Sequence, residues 1–271
     1  LHWTVATKQP AMTAPAMAAK LRNMDAPGAA ERFVDEVVHL LRSQFAAILG
    51  NVGMVMPVVV GIAVLVESTG HHTVMDRAHA LATLEHHQVL GPTALFAAAT
   101  GGLLFLSSLI AGWVENWFVF HRLDSVIEHH PRITRRLGRE RAARWAAYWR
   151  TRISSYAANI SLGLMLGLVP PILGFFGIPF EVRHITLVAG QVAAAAHELG
   201  AQVVHRPMFW GAVGGIAITG LMNLAFSFLL AFRLALTAQN IGAVNRQRVY
   251  AALRQRMRRQ PLSFVLPVRL G

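Results

Sequence analysis

The sequence contains no cysteine. Disulfide staples, thiolate nucleophiles and Cys-ligated metals are therefore excluded. Acid is scarce too: 13 acidic side chains face 25 basic ones, and charged residues make up only 14% of the 271. A soluble domain carries about 25%, so this chain has too few charges to cover a globule. Lysine is almost missing, with 2 against 23 arginines. A chain-wide compositional bias explains that ratio, and so does phosphate binding, which favours arginine's bidentate fork. Neither GxSxG nor GxxxxGK[ST] occurs, so no nucleophile elbow and no phosphate loop is written in the chain.

What is present is apolar: 54% hydrophobic residues, a mean hydropathy of +0.44 and a net charge of +12. This excludes an ordinary soluble enzyme and a disordered tail. It points to an all-α integral membrane protein with basic cytoplasmic surfaces. The first residue is leucine, and the chain is expected to be a piece of something longer.

Four runs lack any charge: Ser43–Val66, His86–Val114, Ile153–Phe180 and Pro207–Phe232. Each exceeds the roughly 20 residues that carry a helix across a 30 Å hydrocarbon core. They predict a helical bundle with spans at about 44–66, 93–114, 155–177 and 208–232. A fifth segment, 185–204, is alanine-rich and holds Gln191, His197, Glu198 and Gln202. With four spans and both chain ends cytoplasmic, 22 of the 25 basic residues lie inside, as the positive-inside rule requires. With five, the tail arginines move outside and the asymmetry collapses. The segment 185–204 is therefore expected to be an interfacial or re-entrant helix, or one packed on the bundle. The organisation follows: 1–42 a cytoplasmic segment, 43–232 the membrane domain with a basic loop at 121–152, and 233–271 a basic cytoplasmic tail. The expected location is an inner (cytoplasmic) membrane.

Gly163–Gly167 and Gly211–Gly215 have GxxxG spacing, which lets helix backbones approach closely. They are candidate faces for a homo-oligomer. Pro57, Pro170 and Pro171 are expected to kink their spans. Pro131 is expected to start a helix carrying Trp145, Tyr148 and Trp149 on one broad face. Arg135, Arg136 and Arg139 point away from it. In the tail, Val249, Tyr250, Leu253 and Met257 form an apolar arc, with Arg254 and Arg258 elsewhere. Both patterns suit helices lying on an anionic inner leaflet. Interleaved arginines and aromatics also suit DNA. Lipid and nucleic acid are both candidate partners.

His71, His72, His79, His86 and His87 crowd one outer loop, but neither HxxxH nor HExxH spacing occurs there. A solvated loop is expected, with no metal and no cofactor. Glu115, Asn116, Asn159 and Asn223 are the polar groups in or near spans, where interhelical bonding and a polar pathway are the alternatives. Arg183, His184, His197 and Glu198 gather the strongest outer-side polarity. A pair between Arg183 and Glu198 is expected to neutralise both charges.

Four segments carry a family resemblance: Thr7–Ala18, Gly112–Asn116, Gly177–Thr186 and Gly220–Phe228. Together they resemble the bacterial multi-spanning membrane family catalogued as site-specific recombinase, over most of this chain. The resemblance implies the C-terminal portion of a longer protein, and its name implies DNA strand exchange. His129 and Arg132 satisfy HxxR, with Tyr148 and Tyr156 downstream and Tyr250 the remaining tyrosine. A transporter or channel subunit, or a non-catalytic membrane scaffold, is the alternative reading of the same residues.

Overall fold

The computed structural model describes residues 14, 17, 20, 21, 28–70, 73–238 and 244–264. His71 and His72, and the side chains of Arg246 and Val249, lie outside the described residues, as does most of the 7–18 segment. Among the described residues the chain is almost wholly helical, with no strand. It divides into two compact units, one of residues 103–180 and one of residues up to 102 together with 181 onward.

The helices are α1 (Ala29–Ser68), α2 (Arg77–His86), α3 (Thr93–Phe120), α4 (Leu123–His129), α5 (Pro131–Leu137), α6 (Arg139–Phe175), α7 (Ile185–Leu199), α8 (Pro207–Ala238) and α9 (Val244–Arg259). Four of them, α1, α3, α6 and α8, are long and apolar enough to cross a membrane. α1 and α8 contain their uncharged runs whole, α3 begins seven residues into its run and α6 stops five residues short of the end of its own, while α1 and α6 extend well beyond theirs on the N-terminal side. At 1.5 Å per residue the 40 residues of α1 and the 37 of α6 reach about 60 and 55 Å, against a hydrocarbon core of about 30 Å. Each therefore carries a polar helical extension N-terminal to its apolar stretch. Residue 43 is no helix boundary, and the aromatic–arginine stretch at 145–152 is the leading part of the third long helix rather than a separate one. Gly138, at φ 79°, breaks the helix expected to run on from Pro131 into α5 and α6. Pro57 and the Pro170–Pro171 pair are absorbed: α1 and α6 continue past them.

In the 103–180 unit, α4 and α5 pack against α6, and Asp124 meets Arg150 at 3.8 Å. In the other unit the most buried element is α7. Nine of its 15 residues are buried, mostly alanine and valine, and it packs on α1, α2 and α8. Small side chains allow this: a Cβ on Gly190 would already touch Val59 at 3.5 Å. Around α7 lies one apolar core that includes Leu84, Ile185, Val188, Val192, Leu199 and Ile216. A second core joins Met17, Leu21 and Phe33 to Phe228, Phe232 and Leu253, tying the start of α1 to the end of α8 and to α9. At 15 residues α7 is about 22 Å long, too short to span.

Candidate functional site

Residues 181–184 precede α7 without helical structure. In such extended backbone, side chains two apart point the same way, which puts Glu181 and Arg183 on one side. Arg183 is 1% exposed and is the largest of the fully buried side chains. Its Nη2 donates to Glu181 Oε2 at 2.6 Å. Its Nη1 donates to the His86 carbonyl and to His87 Nδ1, both at 2.6 Å. Glu181 itself is 46% exposed, with His86 Nδ1 3.7 Å from its other oxygen. The buried cation is thus connected to water through one half-exposed carboxylate.

His87 accepts from Arg183 only as the neutral ring, with the proton on Nε2, which then donates to Gln191 Oε1 at 2.9 Å. Burial, and next the Arg183 charge, lower its pKa from 6.5 to about 4. Burial does the same to His184. The backbone of this segment is held as firmly. Thr100 Oγ1 accepts from the Arg183 amide at 3.0 Å. Asn223 Nδ2 donates to the Arg183 carbonyl at 2.9 Å and to the Ala97 carbonyl at 2.8 Å, while Asn223 Oδ1 accepts from the Ile185 amide at 3.2 Å. Asn223 lies sixteen residues into α8, so α7 starts at the middle of that helix.

Glycines on α8 receive the other half of the clamp. A Cβ at Gly215 would fall on the His87 carbonyl, one at Gly211 on the Gln88 side chain, and one at Gly220 on Ile185. Gln88 Nε2 bridges the Leu84 and Met208 carbonyls at 2.8 Å each. The Gly211–Gly215 spacing therefore serves the 87–89 segment of the same chain, and no surface for a second copy is left there. Gly163 and Gly167 have open space around them.

The four residues grouped as an outer polar cluster are not brought together. Arg183 and His184 stand at the start of α7, His197 and Glu198 about 20 Å away at its end. Arg183 pairs with Glu181 rather than Glu198, because only Glu181 shares its extended segment. His197 Nε2 lies 3.2 and 3.3 Å from the two Glu67 oxygens on α1. Glu115 and Asn116 are exposed near the end of α3, and Asn159 is half-buried on α6. Arg135, Arg136, Arg139, Arg254 and Arg258 are all exposed. The Tyr148 and Tyr156 hydroxyls bond each other, and Arg152 lies 5.7 Å over the Tyr148 ring. His130 caps the Arg132 amide and His129 Nδ1 meets the Ser125 carbonyl. Among the described residues no group of three metal-ligating side chains is assembled.

Sequence reading missed Glu181, His87, Thr93 (whose Oγ1 accepts from Arg183 Nη1 at 3.4 Å), Thr100 and Gln191 as partners of this site. The signal was present in the two-residue spacing of Glu181 and Arg183 and in threonines placed inside an apolar run. Four helices long and apolar enough to cross a membrane, with a short helix held at its start by a buried arginine, define an all-α bundle of the integral membrane class. A family model described as Site-specific recombinase matches residues 1–267, and the chain belongs to that family. No curated protein and no solved structure matches it.

Proposed function

We propose that the chain is a bacterial inner-membrane protein with both ends cytoplasmic, acting as a non-catalytic membrane scaffold that presents an arginine-rich face to the anionic inner leaflet. The observation that carries this reading is how the polar groups inside the apolar bundle are used. Asn223 spends its amide on three backbone atoms, and Arg183 spends its terminal nitrogens on Glu181, His86 and His87. Groups committed to holding the fold are poor conduits for a solute, and interhelical bonding is their ordinary role in lipid. Outside the bundle, Arg135, Arg136, Arg139, Arg254 and Arg258 stand exposed, each attracted to an anionic leaflet by about 1 kcal/mol.

The absence of cysteine makes the pathway alternative testable. Single cysteines at Asn159, Asn223, Glu115 and Glu198 are treated with a small polar thiol reagent in sealed vesicles. The scaffold reading expects Asn159→Cys and Asn223→Cys to stay unlabelled. Labelling of both would support a water-filled pathway.

DNA is a second reading, carried by the family's label and by the same exposed arginines. Strand exchange by tyrosine would need a phenol free to attack phosphate beside arginines and histidine. Here the Tyr148 and Tyr156 hydroxyls are spent on each other, which favours the scaffold. Purified chain in neutral detergent that shifts duplex DNA at low salt, with an affinity falling steeply as salt rises and lost on reversing Arg135 and Arg136, would support DNA contact. No shift at low salt would end that reading.

A further inference from the structure

Where α9 and the short 3-10 turn after it pack on the first turns of α1, two hollows of about 250 and 270 Å3, with charged side chains in their walls, adjoin. Asp35, Arg256 and Gln260 border both, Arg259 borders one, and His39 and Arg42 border the other. Asp35 Oδ1 lies 3.2 Å from Arg256 Nη2, an ion pair that ties the guanidinium across the two helices. Its Nε is then buried without a partner among the described residues, and so is Gln260 Oε1. Buried polar atoms are normally paired. A donor and an acceptor left open at one hollow mark a place shaped for something else. Each hollow has room for roughly eight waters' worth of volume.

The chemistry of the walls narrows the ligand. Across the two adjoining hollows taken together, three guanidiniums, of Arg42, Arg256 and Arg259, stand with the carboxylates of Glu31 and Asp35, which leaves one net positive charge. Guanidinium forks recognise phosphate oxygens. Gln260 Oε1, an acceptor, calls for a donor beside that phosphate. Depth supplies the rest: Arg42 is the last charge before the uncharged run Ser43–Val66, where headgroups meet a spanning helix.

We propose that this pair of adjoining hollows binds a phosphate ester carrying an adjoining hydroxyl or ammonium donor, the chemistry of a glycerol- or ethanolamine-type phospholipid headgroup. The lipid source rests on the membrane reading above; the phosphate chemistry does not. Free phosphate offers the same oxygens without the anchoring chains, so the test separates the two.

Purified full-length chain in detergent is mixed with phosphatidylglycerol, phosphatidylethanolamine, phosphatidylcholine or diacylglycerol and read by native mass spectrometry. A parallel calorimetric titration uses inorganic phosphate. The expected result is one phosphatidylglycerol or phosphatidylethanolamine retained per chain. Phosphatidylcholine, which has no headgroup donor, and diacylglycerol, which has no phosphate, should be held at least tenfold more weakly. Gln260→Leu and Arg259→Gln, which leave the Asp35–Arg256 pair intact, should each weaken retention several-fold, while Arg77→Gln at the exposed start of α2 leaves it unchanged. Saturable binding of inorganic phosphate, lost in the same variants, would support the site with a soluble ligand as its source. Equal retention of diacylglycerol, or retention indifferent to Gln260→Leu and Arg259→Gln, together with no phosphate binding, overturns the proposal. A chain that fails to enter membranes would sink the leaflet reading, yet the phosphate titration would still report on these hollows.

Discussion

Arg183 sets the terms at the scale of single residues. A buried guanidinium is tolerable only while its charge is matched, and removing one partner of a buried pair costs more than removing the charge itself. Glu181→Ala is therefore expected to destabilise the fold more than Arg183→Met. The former should cost on the order of 2 kcal/mol, a figure reduced from the fully buried range because Glu181 is half-exposed. Chemical denaturation in detergent compares the two, and an equal or reversed order would contradict the assignment. His87 and His184 give this region a pH dependence. Both titrate near 6.5 when unfolded and at about 4 in the fold. Between those values the unfolded chain binds more protons, so stability rises with pH across the window. The stabilisation is full above about 6.5 and is lost as pH falls towards 4. His184→Gln should flatten part of that slope in unfolding measured from pH 4 to 7.

Among the elements, α7 was the least legible in the sequence and is the most buried in the fold. Its apolar content is largely alanine, and its Gln191, His197 and Glu198 set it apart from the four uncharged runs. In the structure the alanines let α1 and α8 approach, and Gln191 and His197 meet His87 and Glu67. Period and hydropathy report what a segment could do in lipid, whereas the pairing of distant polar residues is tertiary information that neither carries. The tail helix shows the same limit. Its apolar arc was readable, but the docked face is turned toward Leu253 and Arg256, leaving Tyr250 and Met257 exposed. The glycines of α8 test the element-level account. Gly215→Ala places a methyl on the His87 carbonyl and should cost about 1–3 kcal/mol as overpacking. Gly163→Ala has open space and should be neutral or stabilise its helix by up to about 1 kcal/mol. Thermal unfolding of both variants checks the contrast.

For the whole molecule, charge segregation carried most of what could be read in advance. Four uncharged runs and the one-sided distribution of arginine sufficed to predict four long helices, because insertion into lipid constrains composition so strongly. A topological signal and a polyanion surface use identical residues, so the sequence alone does not separate the two. We propose above that this basic face engages the anionic leaflet. Hydrogen–deuterium exchange of the intact chain in nanodiscs tests it most directly, comparing phosphatidylglycerol-rich with phosphatidylcholine bilayers. The expected result is slower exchange over 123–152 and 244–259 in the anionic bilayer, reversed by high salt, with α7 unaffected. Exchange in those two stretches that is the same in both bilayers would contradict it.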